Sequence, residues 1–282
     1  MQAAADPFAP PVPPDHTELP CEDGKPMVNT QEHPQSSLLT DTLDPRLSEI
    51  HGADNFFIGA DAGIFWWNTR PALEGCKAPD WFVVPGVPPL LEGVPRRSYV
   101  LWNEGARPFL AVEYVSGDGT EEHDPTPRRG KFWVYERGIV IPYYFIFDGS
   151  RETLEGWQLV KGAYQRMTPN QHGRYPVAEL RIELGLWRGT YRHAETVWLR
   201  PWDADTGELM PVSSERAELA EASIDHFREA AEEATEQALQ ERKRADEATR
   251  WAEQAAKDAE DERGKVRLLR ERLRAAGLDP DA

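Results

Sequence analysis

The stretch FLAVEYVS, residues 109–116, sets a carboxylate inside an apolar run whose alternation suits a β-strand. Burying an unpaired charge is costly, so a fold for this chain must bring Glu113 a partner or a cation.

The sequence around it reads as a sheet. Short segments rich in β-branched and aromatic residues, NFFIGADAGIFWW, DWFVVPG, RSYVLWNEG, IPYYFIFDG and EGWQLVKGAYQRM, are divided by Gly and Pro. With FLAVEYVS they predict strands of one mixed sheet. Upstream, leucines at 38, 39, 43 and 47 share one helical face behind a cap-like Asn29 and Thr30, which predicts an opening helix whose first turn is limited by Pro34. Between two strands, RRGKFWVYERG places Phe132, Trp133 and Tyr135 along one side of a short helix ending near Gly138. Helix, strands, helix, strand is the order of an α/β or α+β domain, expected over residues 30–212.

The two ends differ from this middle. Residues 1–29 are rich in Pro, Ala and acidic side chains, too poor in apolar surface to offset ordering, and predict a disordered tail. Over residues 213–277 small or apolar residues recur at alternating steps of three and four. Ala220, Ile224, Phe227, Ala231, Ala234 and Ala238 begin the series, and Val266, Leu269, Leu273 and Ala276 close it, with breaks at Glu241 and Glu262. A period of 3.5 held this long marks a left-handed coiled coil and predicts a homodimer; a solvated single helix is the alternative. Gly277 reads as its C-cap, and residues 278–282 as a short tail that Pro280 keeps from continuing the helix.

Several function classes recede. Two cysteines, Cys21 and Cys76, lie far apart and outside any CxxC pattern, against a disulfide framework or a structural zinc. No apolar run reaches membrane-spanning length and the first residues lack a signal-peptide pattern, so the expectation is a cytoplasmic protein without membrane association. A net charge of −17 opposes attraction to nucleic acid, but the first 29 residues carry −4 and residues 213–282 carry −6, leaving −7 on the middle domain. A bound divalent cation would neutralise part of that.

Asp80 opens DWFVVPG as Glu113 lies within FLAVEYVS, so both project from strands that one sheet can bring together. Two converging carboxylates suit Mg2+, with Mn2+ as a substitute, because Mg2+ keeps several waters and takes one or two protein carboxylates. A lysine would complete a hydrolytic set by stabilising charge on a phosphate. Val115, on the face of Glu113, cannot supply it; Lys131 can if its helix crosses the strand end. Blander roles stand beside these: Asp80 as a turn residue after Pro79, Lys131 as a solvated helix residue, Glu113 as an ion-pair partner of Arg97 or Arg107. His33, His51 and His123 show no metal-ligand spacing, and the tryptophans at 66, 67 and 102 suit a core or the sheet surface.

PDWFVV, then RRSYVLWNEGARPFLAVEYVS, then KFWVYERG leading into IPYYFIFD, resembles the Uma2 family of "putative restriction endonucleases" in the PD-(D/E)XK nuclease superfamily. The likeness continues through LEGWQLVKGAYQRM, LGLWRGTY and VWLRPWDADTGELMP to the closing GLDPD, roughly residues 20–282. It implies a restriction-endonuclease-like core, a mixed β-sheet flanked by helices, with Asp80 and Glu113 as metal-binding acids and Lys131 as catalytic lysine on the following helix. It further implies a supporting acid at Asp61 and a tyrosine, Tyr135, one turn after the lysine. Where such chains run from an Asp directly into the helix, HDPTPRRGK has prolines at 125 and 127, and a later helix start would leave Asp124 on the loop. The activity implied is Mg2+-dependent hydrolysis of DNA phosphodiester bonds. The rivals are a catalytically silent nuclease-like scaffold working through its coil, and a hydrolase or metal-binding module that takes no nucleic acid.

Overall fold

Leucines 38, 39, 43 and 47 line the buried side of helix α1, Glu32–His51, in a computed structural model that describes residues 12–21 and 30–277. Pro34 is accommodated because first-turn N–H groups have no intrahelical partner to lose. The cap expected at Asn29 lies outside the described residues. Gln31 holds the N-cap position and uses its amide elsewhere, donating from Nε2 to Val197 O at 2.8 Å.

Strands β1 (Phe56–Ala60), β2 (Ile64–Phe65), β3 (Cys76–Lys77), β4 (Trp81–Pro85) and β5 (Tyr99–Val100) follow, then a helical turn α2 (Leu101–Glu104) and β6 (Leu110–Tyr114). Helix α3 (Lys131–Trp133) runs on as a π-helical turn over Val134–Ile139. The chain then forms β7 (Tyr143–Asp148), the hairpin β8 (Thr153–Val160) and β9 (Ala163–Arg166), β10 (Tyr175–Val177), β11 (Ile182–Tyr191), β12 (Ala194–Asp203) and the long helix α4 (Ser213–Ala275).

Six strands make the main sheet in the order β1-β4-β6-β7-β8-β9, with β6 and β7 parallel and the other neighbours antiparallel. The α/β architecture and the mixed sheet match the expectation. The single sheet does not: β2, β3 and β5 form a separate three-stranded sheet, and β10, β11 and β12 another. Two-residue strands between Gly and Pro are too short to extend a six-stranded ladder.

Alternation along β6 sends its two faces to different layers. Leu110, Val112 and Tyr114 join Leu39, Leu43, Leu47, Ile182 and Leu199 in a core between the sheet, α1 and the β10–β12 sheet. Ala111 faces the other way, into a core with Val134, Tyr135, Ile139 and Tyr144. Gln35 ties α1 to β12 as a strand would, with Nε2 donating to Leu199 O and Oε1 accepting from Leu199 N, both at 2.9 Å. This satisfies backbone groups that burial would otherwise leave unpaired.

Residues 12–21 depart from the expected tail. Leu19 is buried with Phe65 and Val100, Trp102 Nε1 donates to Pro14 O at 3.0 Å, and Arg97 donates to Thr17 O at 2.8 Å. One leucine and two backbone carbonyls anchor a segment whose composition is that of a disordered chain. The remaining tail residues, 1–11 and 22–29, lie outside the described residues, as do 278–282.

The chain divides into two compact units between Ser214 and Glu215. Helix α4 spans 63 residues with none buried, a rod of about 95 Å at 1.5 Å per residue. Gly277 follows it at φ +76°, donating to Arg274 O at 3.1 Å. No helix among the described residues is long and apolar enough to cross a membrane.

Candidate active site

Antiparallel pairing of β4 with β6 sets Trp81 opposite Val112 and Phe82 opposite Ala111. One step along the same register puts Asp80 opposite Glu113, on the strand face covered by α3. The Tyr114 N–H donates to Asp80 Oδ2 at 2.5 Å, Asp61 N–H donates to Asp80 O at 3.1 Å, and Ser36 Oγ reaches Asp80 O at 3.2 Å. Two contacts to its carbonyl and one to its carboxyl thus fix a residue that sits outside any regular strand.

Glu113 is fully buried and paired on both oxygens. Lys131 Nζ donates to Oε2 at 2.9 Å and Tyr135 Oη to Oε1 at 2.5 Å. Lys131 and Tyr135 lie four apart, one helical turn, so both side chains reach the strand from the same side. Gly130, the N-cap of α3, makes that approach possible: a Cβ there would lie 2.0 Å from Asp124 O, so a larger residue would push the helix start away from the sheet. The partners suggested by sequence, Arg97 and Arg107, are used elsewhere, the latter donating to Ile139 O at 2.7 Å.

Burial and the Glu113 carboxylate beside it hold the Asp80 carboxyl well above its ordinary range, against the opposing pull of the Tyr114 N–H and Lys131. Asp80 as a whole residue is nevertheless only partly buried. Burial works against charge on Lys131, but Glu113, Asp80 and Glu121 more than offset it, so its pKa rises and it stays an ammonium. Burial, with Glu113 next, raises Tyr135 well above an ordinary phenol, which makes it a neutral hydrogen-bond donor.

The structure therefore brings Asp80, Glu113, Lys131 and Tyr135 together. Asp61 meets the group through its backbone and has an exposed side chain at a positive φ of 48°. Asp124 belongs to the loop: its Oδ1 accepts from Thr126 N at 2.8 Å, and that bonding lowers its pKa. The acid that reaches the site from this loop is Glu122, fully buried with Oε1 3.9 Å from Lys131 Nζ. Nothing in GTEEHDP distinguishes it, since a loop of polar residues does not announce which one turns inward.

Could these residues hold a cation? Among the described residues no three His, Cys, Asp or Glu side chains are grouped closely enough to ligate a metal by themselves. Two carboxyls, one of them pushed toward protonation by burial and then by the other, fit a hard dication that brings its own water and substrate oxygens and takes the place of a proton.

A family model described as "Uma2: Putative restriction endonuclease" matches residues 22–192, more than half of the chain. No curated protein matches it significantly. Among solved structures, the crystal structure of "a putative nuclease belonging to DUF820 from Anabaena variabilis" is similar, with 12% identity over 60% of this chain and 91% of that one and a TM-score of 0.37.

Proposed function

The chain belongs to the Uma2 family, and we propose that it is an endonuclease that hydrolyses DNA phosphodiester bonds with Mg2+, or Mn2+ in its place, held by Asp80 and Glu113. The observation that carries this is the meeting of two carboxyls, Asp80 at the entry to β4 and Glu113 on β6, with a lysine ammonium 2.9 Å from one of them. When bound there, the cation would supply a water of lowered pKa and neutralise phosphate charge. The Tyr114 N–H fixes one oxygen of Asp80, and the carboxyl lies against that of Glu113, so that a cation could bridge the two. Tyr135 fixes Oε1 of Glu113 without ever sharing its charge. Lys131 would offset charge gathering on the phosphate as the oxygen of water displaces the alcohol oxygen from phosphorus, the proton lost by the water being balanced by one taken up by that leaving group.

Supercoiled plasmid incubated with the protein is expected to be nicked and linearised with Mg2+ or Mn2+ and left intact with EDTA. The net charge of −17 favours one rival, a silent scaffold, and a folded protein that cuts no DNA would select it.

Helix α4 pairs with a second copy in this reading. Ile224, Phe227, Val266 and Leu269 lie on its heptad seam and are all exposed, an arrangement that a partner helix would cover. Two sites joined this way would address two strands. Light scattering is expected to give twice the chain mass; a monomer at micromolar concentration would contradict the pairing.

A further inference from the structure

Glu122 has an anomaly that the site as described leaves unexplained. Its side chain is fully buried and neither carboxyl oxygen has a hydrogen-bond partner. The amides of Ser116 and of Glu122 itself favour its charged form without closing regular hydrogen bonds, and burial outweighs them, raising its pKa. An inward carboxyl with no partner costs stability. The backbone holds it there all the same, since Tyr144 Oη donates to Glu122 O at 2.9 Å.

The nearest cation is the Lys131 ammonium, 3.9 Å from Glu122 Oε1 and 2.9 Å from Glu113 Oε2. A shift of about an ångström along the flexible lysine stem would exchange one carboxylate for the other. Glu121 is equally close at 3.9 Å but mostly exposed, so solvent screens it. With a dication on Glu113, an ammonium still bonded to the same carboxylate would be repelled by it.

We propose that Glu122 is a positioning residue, the second seat of the Lys131 ammonium, occupied when Glu113 turns its oxygen to a cation. This rests on the reading of Asp80 and Glu113 as a cation site. It accounts for a buried carboxylate that makes no hydrogen bond yet stands 3.9 Å from the ammonium: the lysine closes on it when the metal arrives. The lysine is thereby moved off the metal-binding acid yet kept within the site.

The test is calorimetric titration of the full-length protein with Mg2+ or Mn2+, comparing wild type, Glu122→Gln, Lys131→Ala and the double variant. Glu122→Gln is expected to weaken cation binding about tenfold, as replacements one shell out from a metal do. In the Lys131→Ala background it is expected to change nothing, because no ammonium is left to relocate. Nitrogen NMR of the lysine Nζ adds a second readout: the Lys131 signal shifts on cation addition in the wild type and stays in place in Glu122→Gln. Equal weakening in both backgrounds would mean that Glu122 acts on the cation directly, and an unchanged affinity would make it a bystander; either overturns the proposal alone. A folded wild type that binds neither cation overturns the cation site and this proposal with it.

Discussion

Lys131→Ala is expected to slow plasmid cleavage by about 10²–10³-fold, the usual cost of losing one preorganised group that stabilises transition-state charge. The same change is expected to lower unfolding stability by about 3–5 kcal/mol, because it strands a buried carboxylate. Glu113 is fully buried and Lys131 is its ion-pair partner among the described residues, at 2.9 Å, with a side chain that is itself 16% exposed, so solvent screens the pair little. Tyr135 would remain on Oε1, a hydroxyl facing a charge. Lys131→Arg separates the two losses. It restores the charge and much of the stability, but a planar fork does not reproduce a point charge at the helix start, so cleavage stays low. Cleavage rates and urea midpoints measure the two effects. A Lys131→Ala protein as stable as the wild type would mean that the Lys131–Glu113 pair does not hold the fold together.

Asp80→Asn is expected to act in opposite directions on activity and stability. It removes a cation ligand, so cleavage should fall to background. It also removes a carboxyl whose pKa in the fold lies above its unfolded value of 3.8, chiefly through burial and then Glu113. Between those two pKa values the folded chain holds a proton that the unfolded chain has released, so Asp80 makes stability fall as pH rises from about 4 upward. Asparagine keeps an oxygen for the Tyr114 N–H and carries no charge. Its gain should be near 1 kcal/mol at neutral pH, common for a single stabilising replacement, or roughly 2–4 °C in Tm. Thermal unfolding at pH 5 and pH 8 provides the check: the variant's advantage should be larger at pH 8. A variant less stable than the wild type at both pH values would refute the raised pKa.

Much of this site was readable in the sequence because its signals are local. A glutamate inside FLAVEYVS stands out against apolar neighbours and Lys131 lies in the short helical segment that follows, while Tyr135 as its companion is what the family resemblance implies. The leucines of α1 are similar: a periodic stripe needs no tertiary information. What stayed hidden depends on distant contacts. The opposition of Asp80 and Glu113 is a matter of register across 33 residues, which pattern alone does not fix. The β10–β12 sheet was masked by Gly185, Gly189 and Pro201, residues that weaken a strand signal although β11 and β12 pair along ten residues each. Glu122 was invisible because burial of one loop carboxylate rather than its neighbours Glu121 or Asp124 is decided by how residues 116–130 fold back on β7. Leu19 was lost in the same way, a single apolar residue in a stretch that otherwise looks unfolded.

The most direct measurement is the rate at which supercoiled plasmid is cut at saturating Mg2+ by wild type and by Glu113→Gln, with circular dichroism confirming that both are folded. Metal-dependent cutting by the wild type, slowed about a hundredfold or more in the variant, is the expected result. Equal cutting by both proteins, or none by a folded wild type in either Mg2+ or Mn2+, would contradict the assignment of Glu113 to a cation-dependent hydrolytic site and leave it as the structural partner of Lys131.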